Sequence, residues 1–315
     1  MAARIMVIGT GSIGRRHAEN LATLGARVTA VGWRGTTPGQ IADTLAAGGF
    51  DGVVIATATQ VRLPLVQAAA MAGVPMYIEK PLAFTRDDLV RIMAAAGPVA
   101  GRSMVGFMMR YHPGFRDLAQ SDLTDTFRFD FVIGHDVTQW RANWRFSESY
   151  AANAHGGGVL LDLSHELDMA ACLFAGLRVD AVRSVGHAAY PGVDMASRVS
   201  LSRPGLSGSV AMDYLAPRLV RRAQIGGTQT TWEYDFAAQN YTVSQEHNIK
   251  TPAHPLERNE MFMNIARDFL ALVEGHTLIG IEHFPRLDRI GESARLIADA
   301  WEQRRFDGET TKEIP

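Results

Sequence analysis

The chain has a single cysteine, Cys172, so no disulfide can form within it. No unbroken apolar run reaches the roughly 18 residues that a membrane-spanning helix needs, and no membrane partner is expected. Net charge is also small, −2 from 31 basic and 33 acidic residues, which removes the overall attraction that nucleic-acid binding draws on. The locally basic stretch from Arg218 to Arg222 reads as a solvated strand or loop edge. No signal-like pattern precedes the first strand candidate, and with one cysteine a reducing cytoplasm is the expected location. Internal repeats, low-complexity tracts and a long linker are missing too.

What is there is ordinary for a globular chain: 47% hydrophobic and 20% charged residues. A length of 315 residues exceeds what one core usually supports, so two domains are expected, 1–114 and 115–315, with the C-terminal helices able to pack back on the first. From Arg4 to about Ala100, apolar strand candidates alternate with Ala/Leu-rich helical stretches, the pattern that winds a parallel sheet. The strands are expected at Arg4 to Gly9, Arg27 to Trp33, Gly52 to Thr57, Pro75 to Glu79 and Met104 to Phe107, with one short helix, Pro38 to Ala47, between the second and third. After Gly114 the pattern changes to alternating, antiparallel-like strands at Phe127 to Ile133, Ala181 to His187, Arg198 to Leu201, Ser207 to Tyr214, Arg222 to Ile225 and Thr230 to Asp235. Helices are expected over Leu160 to Leu173, Asn259 to Leu272 and Pro285 to Arg304, which makes the second domain α+β.

Gly9-Thr10-Gly11-Ser12-Ile13-Gly14 fits GxGxxG between an apolar strand and a helix with Ile13, His17, Leu21 and Leu24 on related faces. Glycines there permit a tight turn and close backbone approach, so that a helix N-terminus faces a pyrophosphate. At the end of the second strand an acidic residue would accept the ribose hydroxyls of NAD; this chain has Gly32-Trp33-Arg34 instead. Arg34 can pair with a 2′-phosphate and Trp33 can pack on adenine, which favours NADP over NAD; the bland alternative is an exposed loop arginine.

Glu79-Lys80-Pro81 ends a strand at the carboxyl edge of the sheet, where doubly wound folds bind ligands. Lys80 there can hydrogen-bond a substrate hydroxyl or relay its proton, and Pro81 allows a cis bond that would aim it. The alternative is a surface lysine paired with Glu79. In the segment from Gly156 to Asp168, helical spacing puts Asp162, His165, Glu166 and Met169 on one face. His165 suits a general base oriented by Asp162 or Glu166, against the alternative of a buried, capped histidine; the mixed carboxylates lack a zinc spacing, so no metal is expected.

These motifs in this order, with Val105-Gly106-Phe107 through Arg110-Tyr111-His112-Pro113 between them, resemble the Gfo/Idh/MocA family of NAD- or NADP-dependent sugar and polyol oxidoreductases. The resemblance implies an α/β fold: an N-terminal Rossmann dinucleotide-binding domain and a C-terminal α+β domain with a large, mainly antiparallel sheet, commonly oligomerised through that sheet as a dimer or tetramer. It carries the family's catalytic lysine onto Lys80 and its histidine onto His165, with Asp168 following. The cofactor contacts then expected are Gly9, Gly11, Ser12, Ile13, Gly14, Trp33, Arg34, Thr57, Arg62, Glu79 and Lys80. The expected catalytic residues are Lys80, His165 and Asp162, with Arg110, Trp144, Arg145, Tyr150 and Glu166 as substrate contacts. The chain departs from the family pattern where Arg62 stands at a usual histidine, Met108 at a usual asparagine, and Asp162 three residues rather than four before the histidine. The expected reaction moves hydride between nicotinamide and a carbinol or carbonyl carbon of a sugar, polyol or sugar acid. Two other readings are a non-catalytic nucleotide-binding regulator and an NAD-assisted epimerase or glycosidase without net redox change.

Overall fold

The apolar runs of the first hundred residues become short strands, the central ones buried on both faces as a sheet under crossover helices requires. The structure is a computed structural model that describes residues 2–140, 145–276 and 283–314; Trp144 lies outside the described residues. In chain order come β1 (Arg4–Ile8), α1 (Ser12–Thr23), β2 (Arg27–Val31), α2 (Pro38–Ala46), β3 (Gly52–Ile55), α3 (Arg62–Met71), β4 (Met76–Ile78), α4 (Arg86–Ala96) and β5 (Met104–Val105). The strands pair in parallel in the order β2-β1-β3-β4-β5, with Ile5, Val7, Val53, Ile55, Met76 and Ile78 fully buried. Helix α2 is started by a capping box, Thr37 with Gln40, and by Pro38 in its first turn.

Contacts divide the chain into two compact units, Met1–His112 with Leu256–Ala294, and Pro113–Pro255 with Arg295–Pro315. The second unit begins with α5 (Pro113–Gln120), β6 (Thr126–Gly134), α6 (Val159–Asp162), α7 (His165–Leu173), β7 (Arg178–Gly186), β8 (Ala196–Arg203), β9 (Leu206–Asp213), β10 (Val220–Gly227), β11 (Thr230–Asp235), β12 (Asn240–Gln245) and β13 (Asn248–Lys250). The chain continues with α8 (Arg258–Val273), α9 (Gly291–Glu302) and β14 (Arg304–Glu309). In the first unit, α8 sets Phe262 against the His17 ring and Phe269 against Tyr77, with ring centroids 6.4 and 5.8 Å apart.

Among the described residues the second unit holds a nine-stranded sheet in the order β13-β12-β11-β10-β6-β9-β8-β7-β14. Its neighbours are antiparallel except β6 with β9 and β7 with β14. Three strands differ from the sequence reading. β12 and β13 are polar and lack a strong alternating signal, and β14 is almost wholly exposed, so pairing rather than pattern defines them. The expected helix to Arg304 therefore stops at Glu302, and its first residues form only a short 3₁₀ turn, Leu287–Arg289. The expected helix Leu160 to Leu173 is two helices, α6 and α7, separated at Leu163 and Ser164.

Candidate functional site

In the first unit β1 ends at Ile8 and the chain turns at Gly9. A φ of +106° and a Cβ that would lie 2.4 Å from the Ala56 carbonyl oxygen leave room there for glycine alone. Gly14 has a different constraint: a Cβ would sit 1.8 Å from the Gly9 carbonyl oxygen, because α1 packs directly on the loop. At Gly11 a Cβ would meet nothing within 4 Å, so this residue faces open space. Ser12 and Ile13 then begin α1, whose N-terminus has neither a side-chain cap nor an acidic residue in its first turn. Open glycine backbone at an uncapped, partially positive helix end fits a pyrophosphate. At the end of β2, Trp33 is half-buried and Arg34 exposed; the turn is closed by Thr36, whose amide donates to the Trp33 carbonyl at 3.1 Å.

The segments following β3 and β4 carry the polar cluster. Glu79 is buried; its Oε1 shares a 2.6 Å hydrogen bond with His17 Nε2, and its Oε2 accepts from the Lys80 amide at 3.2 Å. Burial pushes the Glu79 carboxyl up, but the His17 hydrogen bond and the charges of His17, Lys80 and Arg62 outweigh it, holding the carboxyl below its ordinary range. Lys80 is half-buried, and its peptide to Pro81 is cis. Thr57 and Arg62 are buried; the Arg62 guanidinium donates to the carbonyls of Thr57 and Pro81 and lies 3.5 Å from that of Lys80. Arg110 is buried as well, its guanidinium donating to the His283 carbonyl at 3.1 Å and Ser293 Oγ at 3.0 Å.

In the second unit the glycine run is forced by its surroundings. A Cβ on Gly157 would meet the carbonyl oxygens of Asn153, Tyr150 and Ala151 within 2.7 Å, and one on Gly158 would lie 2.0 Å from Asp194 Oδ1. Asp194, fully buried, accepts from the Leu160 amide at 2.9 Å and Ser197 Oγ at 2.8 Å, and pairs with Arg304. It thereby fixes the start of α6. Asp162, at the end of α6, accepts from the phenols of Tyr150 and Tyr214, the latter at 3.0 Å. Burial first, then the neighbouring Asp162, drive the Tyr214 phenol well above its ordinary range. Because the chain breaks between α6 and α7, the single helical face expected for Asp162, His165, Glu166 and Met169 is divided. His165 opens α7 and is buried, as is Glu166, whose Oε1 lies 2.7 Å from Arg221 Nε on β10. Arg145 is exposed, and Tyr150 is half exposed.

No family model matches the chain. An inositol 2-dehydrogenase from Acidiphilium cryptum is 36% identical over 136 residues, 38% of this chain and 40% of that protein. The chain thus spans about two fifths of the length of the curated relative it matches. Among solved structures, an inositol dehydrogenase homologue complexed with NAD+ from Azotobacter vinelandii superposes with a TM-score of 0.78 at 14% identity, over 96% of this chain and 95% of that one. A levoglucosan dehydrogenase in complex with NADH and L-sorbose gives 0.74 at 18% identity, over 96% and 97%. Both superpositions run over nearly the whole of each chain and show a shared fold.

Several side chains that shape these polar clusters escape a reading of the sequence. His17 offers the one usable signal, a polar residue on the inward stripe of α1. Tyr214, Arg221, Asp194 and Arg304 offer none: each reaches its partner from a strand or strand end far along the chain.

Proposed function

We propose that the chain is a nicotinamide-dependent oxidoreductase of sugars or polyols, moving hydride to or from a carbinol carbon. One carboxylate carries this reading. Glu79 takes His17 of the glycine-loop helix with one oxygen and the Lys80 amide with the other, tying a loop that fits a pyrophosphate to a lysine at the edge of the sheet. The names of the relatives supply the substrate class: an inositol dehydrogenase, and a levoglucosan dehydrogenase holding NADH and a sugar.

Gly9, Gly11, Ser12, Ile13 and Gly14 hold the pyrophosphate, Trp33 packs on adenine, and Arg34 pairs with a 2′-phosphate, which favours NADP over NAD. A bound nicotinamide supplies the hydride acceptor or donor. Lys80 donates a hydrogen bond to the substrate oxygen as charge develops on it and relays its proton; His165 takes the hydroxyl proton in the oxidation direction. Asp162, held by two phenols, and Glu166, held by Arg221, fix the segments before and after His165. Tyr150 and Arg145 contact the substrate, the ring suiting a sugar's CH face and the guanidinium a carboxylate or phosphate. A cytoplasmic homo-oligomer, dimer or tetramer, completes the proposal. The test is titration of the purified protein with NADPH and NADH under nicotinamide fluorescence, followed by turnover with inositols and levoglucosan. Binding of neither dinucleotide, once prebound cofactor is excluded, would overturn it.

A further inference from the structure

We infer that Arg62 is a positioning residue for Lys80, acting through the backbone and not through contact with a ligand; this rests on the reading of Lys80 above. Arg62 is the first residue of α3 and only 3% exposed. Its Nη2 donates to the Thr57 carbonyl at 3.1 Å and lies 3.5 Å from the Lys80 carbonyl, while Nη1 donates to the Pro81 carbonyl. These carbonyls belong to two separate segments, one leaving β3 and one leaving β4. A planar guanidinium with donors in a fixed fork can hold both at once, whereas an ammonium at the same place is a point charge that favours one partner.

Lys80 is thereby restrained from two sides. Glu79 Oε2 holds its amide at 3.2 Å, and Arg62 faces its carbonyl and holds the next one. The charge of Arg62 also helps keep the Glu79 carboxyl ionised, which maintains the first of these restraints. A lysine side chain has four rotatable bonds, so its ammonium is only as well placed as the backbone from which it hangs. Misplacement of a reacting group by about 1 Å costs on the order of 100-fold in rate. Direct contact with the dinucleotide, the role the sequence suggests for Arg62, is not needed for this effect.

The test compares the full chain with Arg62→Lys and Arg62→Gln. Lys80, Lys250 and Lys312 are its only lysines, so acetylation followed by mass spectrometry reads Lys80 against two internal references. Arg62→Lys, which keeps the buried charge, is expected to fold, to bind NADH and NADPH within about threefold of the parent, and to lose roughly 10- to 100-fold in kcat on the best polyol. In Arg62→Gln the acetylation rate of Lys80 is expected to change by about threefold or more, with Lys250 and Lys312 unmoved. Three results would overturn the inference: dinucleotide affinity falling in step with turnover, unchanged kcat with unchanged Lys80 acetylation, or an Arg62→Lys chain that does not fold. Full turnover by Lys80→Ala would instead remove the reading beneath it, and the acetylation comparison, which needs no turnover, tells the two failures apart.

Discussion

Glu79 sits where two demands meet, since one carboxylate serves both His17 and the Lys80 amide inside a buried edge of the sheet. A buried, charge-assisted hydrogen bond of this kind contributes about 1.5–3 kcal/mol, and removing its charge leaves the other partner uncompensated. Glu79→Gln is therefore expected to lower unfolding free energy by roughly that amount in urea titration. Arg34 is a contrasting case, exposed and outside any core, so its replacement is expected to leave stability alone and, on the function proposed above, to act on binding. Arg34→Ala is expected to weaken NADPH by about tenfold or more while changing NADH by less than about threefold, measured by nicotinamide fluorescence. The glycines of the first loop are legible in the sequence because their constraint is local. A positive φ at Gly9 and the contact between Gly14 and the Gly9 carbonyl arise within one turn of chain. The partners of Asp162 are not legible in that way, because Tyr214 lies 52 positions further on and nothing near it in sequence marks it.

At the scale of elements, the break between α6 and α7 decides how the second unit's polar cluster is arranged. Helical periodicity sees apolar residues at helical spacing and continues through Leu163 and Ser164. It cannot see that Asp194 fixes the start of α6, or that two tyrosines take up Asp162 at its end. The first turn of α6 depends on Gly158, with a φ of +89° and a Cβ position already occupied by Asp194 Oδ1. Gly158→Ala combines strain with a collision and is expected to cost about 2–3 kcal/mol, read as a fall in the urea midpoint without a change in slope. The parallel strands are legible because alternation with helices leaves few other ways to bury them. β14 is not, since its side chains are exposed and it exists by pairing with β7.

For the whole molecule, pH tests the polar clusters together. Burial raises Glu79 and Asp136, but His17 in the first case and Lys312 with Thr138 in the second outweigh it, so both carboxyls lie below their ordinary range in the folded chain. A carboxyl lowered by folding contributes stability that is complete above its unfolded value of about 4 and is lost as pH falls through the lower folded one. At the alkaline end Tyr77 and Tyr214 are raised, by burial first, so their contribution is complete below the unfolded value of about 10 and lost as pH rises beyond it. Urea midpoints across pH should therefore be level with respect to these groups between about 5 and 9 and fall on both sides. A flat acid limb would contradict the ionised Glu79 cluster. The mixed pairing of the nine-stranded sheet, with β6 beside β9, belongs to this scale too; only closure of the whole unit selects it.

Lys80 carries the central claim, and single-turnover hydride transfer in Lys80→Ala tests it most directly. With dinucleotide affinity unchanged within about threefold, the transfer rate to or from an accepted polyol is expected to fall by roughly 100-fold or more. A Lys80→Ala chain that binds the dinucleotide and transfers hydride at the parent rate would contradict the assignment.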